Sequence, residues 1–408
     1  MKSIGEALRE IVPCFEPIGY ERKPLLAAAG RVLGEDVLAR SNLPAFDNSA
    51  MDGYAVRFCD LTQGVVLPVQ GESRAGGATP SPLGPLAAMR IFTGAPMPDG
   101  ADTVVMQENT QTSPGRVQID ELPTPGAHVR KRASDMARGS VALARGQCLG
   151  PGEVGLLAAQ GRHTVSVYAR PRVAIVSTGD ELREIGENDA PGTIVGSNAY
   201  ALAAQVLETG AEPWVLPTVV DRIDDIVEGL EQALRADVVL CTGGVSVGDY
   251  DLLGQALARA GIAVKLWKVA IKPGKPLMFA AAGRVPLLCL PGNPVSAMVT
   301  FEIFVKPGLR RMLGYAAPYP ALIDVELEHD HRHATGRVEL ARAIVTRSEH
   351  GRLLVRMHPR QGSGSLPSMC GVDVLVVLDG SIEQFARGTI LRALPMRPER
   401  GQREAPFT

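Results

Sequence analysis

Between residues 170 and 314 the chain alternates short apolar runs (RVAIVS, ADVVLC, AVKLWKVAI and VPLLCL) with stretches of helical periodicity. The helical stretches are NAYALAAQVLETG, IDDIVEGLEQALR, DLLGQALARAG and VSAMVTFEIFV. Parallel strands need a long crossover, and a helix that makes the crossover also covers the sheet. The pattern therefore predicts a parallel sheet with helices on both faces. Ligands of such sheets bind beyond the carboxyl ends of the strands, where loops meet helix N-termini.

Three strands end in loops suited to that role. In STGDEL, Ser177, Thr178 and Gly179 precede Asp180 and Glu181. In TGGVSVGDYD, Gly243, Gly244 and Gly248 surround Ser246 and lead to Asp249 and Asp251. In LPGNPVSA, Pro291 precedes Asn293, a fitting N-cap, and Pro294, a fitting first residue of the next helix. Glycines let successive N–H groups converge on one oxyanion, and a helix N-terminus adds favourable potential. That potential is worth only about 0.3–1 kcal/mol, so holding a phosphate needs cations as well. IKPGKP supplies Lys272 and Lys275. The competing reading of each loop is a plain tight turn. Neither nucleotide fingerprint is present: Gly243 and Gly248 have P-loop spacing but are followed by Asp249-Tyr250, and no G-x-G-x-x-G closes a strand.

Carboxylates form a second set. Asp52, Asp135, Glu181, Asp221 and Asp251 fall in or beside loops, and hard carboxylate oxygens suit Mg²⁺ shared with phosphates. The alternative is simple solvation. His329, His331 and His333 alternate along one strand face and are expected to be a solvated strand end rather than a metal site. The basic run His128 to Arg132 is expected to be solvated, with anion contact as the alternative because Asp135 follows closely.

The remaining texture gives the domain plan. At 408 residues, with 45% hydrophobic and 21% charged, the chain suits two to four globular domains. We expect an N-terminal mixed α/β segment from residues 1–48 with 140–169, and a β-rich inserted module over 49–139. An α/β domain over 170–315, a C-terminal β-barrel-like domain over 316–398 and a disordered tail at 399–408 complete it. Residues 140–168 are expected to pack back on the N-terminal helix. A net charge of −2 gives no general pull toward nucleic acid or anionic membranes. The longest apolar stretch, Val295 to Val305, is broken by Thr300 and Glu302 and falls short of the ~20 residues a membrane span needs. Six scattered cysteines without a C-x-x-C fit a reducing, cytoplasmic setting and no structural zinc.

Taken in order, FDNSAMDGYAV, FTGAPMPDGADTVVMQE, STGDEL, TGGVSVGDYD, IKPGKP, LPGNPVSA and QGSGSLPSM resemble the molybdopterin molybdenumtransferase family and the related gephyrin E domain. The resemblance spans all but the tail. It implies an α/β domain of molybdopterin-binding type and a transferase that inserts molybdenum from molybdate into adenylated molybdopterin, releasing AMP with Mg²⁺ help. Asp52 matches the acid of the MDGYA motif, Thr93 the threonine of FTG, and Asp135 the aspartate of a Gly-Glu-Asp motif. Glu181, Asp221 and Asp251 match acidic pocket residues, with Asp52, Glu181 and Asp251 as the implied metal ligands. Ser177, Thr178, Gly243, Gly244, Ser246, Gly248, Lys272, Lys275, Pro291 and Pro294 are the implied ligand-binding positions. Two departures stand out: Ala133-Ser134 replaces the Gly-Glu of Gly-Glu-Asp, and Ile194-Val195-Gly196 precedes Ser197-Asn198 where relatives place an aspartate. The resemblance also implies a homodimer, with the cleft between the α/β domain of one subunit and the Asp52 module of the other. Transient contacts with other cofactor-biosynthesis proteins and apo-molybdoenzymes follow from the same role. Two other functions stay open: a non-catalytic pterin-binding scaffold, and a nucleotide pyrophosphate hydrolase sharing only the α/β domain.

Overall fold

The computed structural model describes residues 1–243 and 252–396. The α/β region is built on a six-stranded sheet in the order Glu212–Val215, Arg172–Ser177, Val238–Thr242, Val285–Leu290, Met278–Ala282, Val264–Trp267. The first four strands run parallel, as the alternating pattern requires. The last two differ from the sequence reading. Met278–Ala282 forms a hairpin with Val285–Leu290 through Gly283, and a hairpin that short can only be antiparallel. Val264–Trp267 then adds antiparallel to Met278–Ala282.

Alternate residues of the central strands feed two cores. Val173, Ile175, Leu240 and Leu288 face Leu202, Val206, Val299 and Phe304 on one side. Ala174, Val176, Val239 and Leu287 face Ile226, Leu230, Leu253 and Leu257 on the other, joined by the buried cysteines Cys241 and Cys289. Each fully buried Leu or Val contributes roughly 1.5–3 kcal/mol, so this double-sided burial fixes the register of the strand ends that carry the loops.

The N-terminal helix, Ile4–Ile11, starts with a capping box between Ser3 and Glu6. Its buried face, Ala7 and Ile11, joins Phe15 in the α/β core with Val173 and Phe304. The expected packing of residues 140–168 on this helix is therefore corrected. They return instead to residues 20–38: Thr164–Tyr168 pairs with Tyr20–Pro24, and Val141–Leu143 with Val37–Leu38. Leu33, Leu149, Leu157 and Val165 close a small separate core there.

Residues 53–119 form a six-stranded, mainly antiparallel sheet in the order Thr103–Met106, Gly53–Val56, Ala88–Ile91, Val66–Ser73, Arg116–Ile119, Thr110–Ser113. The C-terminal strands Val338–Arg347, Leu353–Met357, Ile323–Leu327, Ile390–Pro395 and Val374–Leu378 close on themselves as a barrel, because the first and last also pair. Ile271–Lys272 leaves the α/β region to pair in parallel with Val338–Glu339 at the barrel edge. Among the described residues, no helix is long and apolar enough to cross a membrane. The expected tail, 399–408, lies outside them.

Candidate active site

Three loops meet at the carboxyl edge of the α/β sheet. Thr178 N–H donates to Thr242 O (3.0 Å) and Gly179 N–H to Val219 O (3.2 Å). Gly243 has φ +94, and a Cβ there would lie 2.1 Å from the Thr178 carbonyl oxygen, so only glycine admits this approach. Gly292, next to the buried Pro291, would place a Cβ 3.7 Å from Gly243 Cα. Asn198 ties the loops together, its Nδ2 donating to Thr242 Oγ1 (3.0 Å) and Gly292 O (2.7 Å). Ser177, Thr178, Gly243 and Pro291 are thus brought to one edge. Gly244, Ser246, Gly248 and Asp251 lie outside the described residues.

Ser177 Oγ and Asn198 Oδ1 are buried there without a hydrogen-bond partner among the described residues, while the Thr178 hydroxyl acts on the Asp221 carboxylate. A buried polar atom left unpaired costs about 1–3 kcal/mol. Two such atoms lie at one sheet edge, where the chain continues into residues 244–251, which lie outside the described residues.

The carboxylates Asp180, Glu181 and Asp221 gather beside it. Asp221 N–H donates to Asp180 Oδ1 (3.0 Å). Burial, followed by the negative charges of Asp180 and Glu181, pushes the Asp221 carboxyl above its ordinary value. A Cβ on Gly179 would sit 2.7 Å from Glu181 Oε2, so this glycine makes room for the carboxylate to fold back. Among the described residues, no three His, Cys, Asp or Glu side chains converge as a closed metal site. Mg²⁺ characteristically takes one or two carboxylates together with substrate oxygens and waters, and the Glu181–Asp221 pairing fits that donor set.

Lys275 is exposed. Lys272 Nζ lies 2.9 Å from Glu339 Oε2 of the barrel. Asn293 and Pro294 take the N-cap and first helical positions that the sequence spells out, but the Asn293 side chain makes no capping bond. Its Nδ2 reaches Ser363 Oγ at 3.0 Å, and Ser363 O accepts from Val295 N–H at 3.1 Å. The QGSGS loop therefore sits on the start of the Pro294 helix. Buried Arg342 holds that loop through Nη2 bonds to Arg360 O (3.0 Å) and Gly362 O (3.3 Å).

A second group lies in the β module. Asp52 Oδ1 accepts from Thr93 N–H and Thr93 Oγ1, each at 2.7 Å. The Thr93 backbone bond first, then its hydroxyl and Arg90, hold the Asp52 carboxyl below its ordinary value. Asp135 is exposed on the neighbouring loop, tied by Asp135 N–H to Leu43 O (2.9 Å), while Lys131 pairs with Asp47 at 3.0 Å. Ala133 stands at φ +63, a conformation that favours glycine. Among the described residues, no hydrogen bond or ion pair joins Asp52, Thr93 or Asp135 to the sheet-edge group.

The histidine expectation is corrected at one position. His333 is buried rather than solvated, because a carboxylate and two carbonyls surround its ring. Sequence reasoning did not place Asn198, Ser363 or Glu339 in the site. Asn198 and Ser363 sit inside recognisable motifs, whereas Glu339 has no local signal.

Comparisons with known proteins match this arrangement along most of the chain. Residues 2–161 match the family model "MoeA N-terminal region (domain I and II)", residues 174–311 "Probable molybdopterin binding domain", and residues 324–396 "MoeA C-terminal region (domain IV)". A molybdopterin molybdenumtransferase of Nostoc sp. is 44% identical over 77% of this chain and 74% of its own length. Molybdopterin molybdenumtransferase 2 of Mycobacterium tuberculosis is 36% identical over 96% of this chain and 99% of its own. The crystal structure of the molybdopterin biosynthesis MoeA protein of Pyrococcus horikoshii superposes with a TM-score of 0.83 at 29% identity, covering 97% of this chain and 100% of that one.

Proposed function

This chain belongs to the molybdopterin molybdenumtransferase family, and we propose that it inserts molybdenum from molybdate into adenylated molybdopterin with release of AMP. The observation that carries this reading is the convergence of Ser177, Thr178, Asn198 and Gly243 on one sheet edge beside the acidic group Asp180, Glu181 and Asp221.

Charge sets the problem. Molybdate and the pyrophosphate of the pterin nucleotide are both anions, so they meet only where positive potential is fixed in advance. Lys272, Lys275 and the backbone N–H groups near Gly243 supply that potential, while Ser177, Thr178 and Asn198 orient the ligand by hydrogen bonds. Pro291 and Pro294 shape the adjoining loop. Mg²⁺, held by Glu181 and Asp221 with Asp251, would neutralise the pyrophosphate. Asp52, held below its ordinary value by Thr93, would orient the water that cleaves the phosphoanhydride, with Asp135 as a further acid.

The family resemblance implies a homodimer in which the partner subunit's Asp52 completes each site, and this reading carries it over to the present chain. The same reading makes the protein a cytoplasmic enzyme that contacts other cofactor-biosynthesis proteins and apo-molybdoenzymes transiently. An assay of AMP release tests the reaction class. Release that depends on molybdate, with simple dinucleotides left intact, supports insertion. Equal turnover of simple dinucleotides would make the protein a pyrophosphate hydrolase, and pterin binding without AMP release would make it a scaffold.

A further inference from the structure

We infer that Glu339 and His333 of the barrel are positioning residues that set the Lys272 ammonium for oxyanion binding. This rests on the reading of Lys272 as an anion ligand. One oxygen organises the network: Glu339 Oε2 lies 2.9 Å from Lys272 Nζ and 3.1 Å from His333 Nδ1. On its other side, His333 Nε2 faces Ile382 O at 2.6 Å and Asp379 O at 3.2 Å. The ring also lies 5.6 Å from Phe385, centroid to centroid. The backbone sets this up, because Lys272 pairs with Glu339 in register where the α/β chain joins the barrel edge.

Burial is graded along the chain. The His333 and Glu339 side chains are 2% and 5% exposed, and that of Lys272 is 35% exposed. The network therefore runs from a sealed interior to an open ammonium. Lysine carries three N–H donors on a flexible stem. Glu339 engages one and fixes the stem, which leaves two donors for a ligand on the exposed side. A carboxylate alone would also cancel the positive charge that a dianion feels. Arg342, whose charge acts on Glu339, offsets this, and His333 holds the carboxylate from its buried side.

The test uses the full-length protein, with AMP release followed as molybdate is varied. Lys272→Ala, Glu339→Leu, Glu339→Gln, His333→Phe and the Lys272→Ala/Glu339→Leu double variant are compared. Loss of a fixed lysine rotamer predicts a rise of roughly tenfold in the molybdate KM for Glu339→Leu and His333→Phe, with kcat within about twofold. Glu339→Gln, which keeps an acceptor oxygen, should fall between these and the parent. The double variant should be no worse than Lys272→Ala alone. If Glu339→Leu does not fold, Glu339→Gln and His333→Phe carry the comparison. Unchanged molybdate KM in the barrel variants beside a raised value in Lys272→Ala, or an additive loss in the double variant, would overturn the inference. An unchanged KM in Lys272→Ala would instead remove the underlying reading of Lys272, and the inference with it.

Discussion

Asp52 Oδ1 takes two hydrogen bonds from a single residue, the Thr93 N–H and the Thr93 hydroxyl, each at 2.7 Å. One carboxylate oxygen is thereby fixed. Asp52→Asn is expected to fold with an unchanged melting temperature and to lose molybdenum insertion by roughly 10²–10³-fold, the usual cost of one preorganised electrostatic contact. Thr93→Val, which keeps the backbone bond, should lose less. Steady-state AMP release checks both.

Asp221 makes a pH prediction of opposite sign. Burial and its acidic neighbours raise its folded-state value, so the protonated form is favoured by folding. That contribution is complete below the ordinary aspartate value of about 3.9 and is lost as pH rises through the raised one. At neutral pH the ionised Asp221 therefore opposes folding. Asp221→Asn should melt higher than the parent at pH 7, with the gap shrinking as the pH falls through the raised value and closing fully below about 3.9. Added Mg²⁺ should narrow the gap at pH 7 by stabilising only the parent. Melting curves across pH, with and without the cation, show whether it does.

Gly243→Ala tests the loop convergence. The added carbon would meet the Thr178 carbonyl at 2.1 Å with φ at +94. A left-handed non-glycine residue alone costs about 1–2 kcal/mol, and the clash must add to it. Chemical denaturation should show a loss above about 2 kcal/mol, accompanied by loss of ligand binding.

Ala133→Gly should do the reverse. Ala133 holds φ +63 on the loop before Asp135. Relieving that strain, less the entropy that glycine gains in the unfolded chain, predicts a gain of about 0.5–1 kcal/mol in urea unfolding. A loss would mean that the alanine side chain supports the loop.

How far the sequence could be read depended on the range of the signal. Strands such as Arg172–Ser177 and Val238–Thr242 announce themselves, because apolar runs between amphipathic helices have few other uses. The Asn293-Pro294 helix start is equally local. Ala281 and Ala282, by contrast, gave Met278–Ala282 a weak pattern, and only its hairpin with Val285–Leu290 makes it a strand. The destination of Ile4–Ile11 is set by tertiary packing, which no local pattern encodes. The same holds for the site. Ser177, Thr178 and Gly243 could be found from strand-end chemistry, whereas Glu339 stands 67 residues from its partner Lys272 and looks like any strand glutamate. His333 likewise shares its alternation with two other histidines, and only the closed barrel distinguishes it.

The central claim is most directly tested by reconstitution. Purified protein, adenylated molybdopterin, molybdate and Mg²⁺ are combined, and activation of an apo-molybdoenzyme is measured alongside AMP. The account predicts activation and AMP release in equal proportion, both abolished without molybdate. AMP formed at the same rate without molybdate, with no activation when it is added, would contradict it.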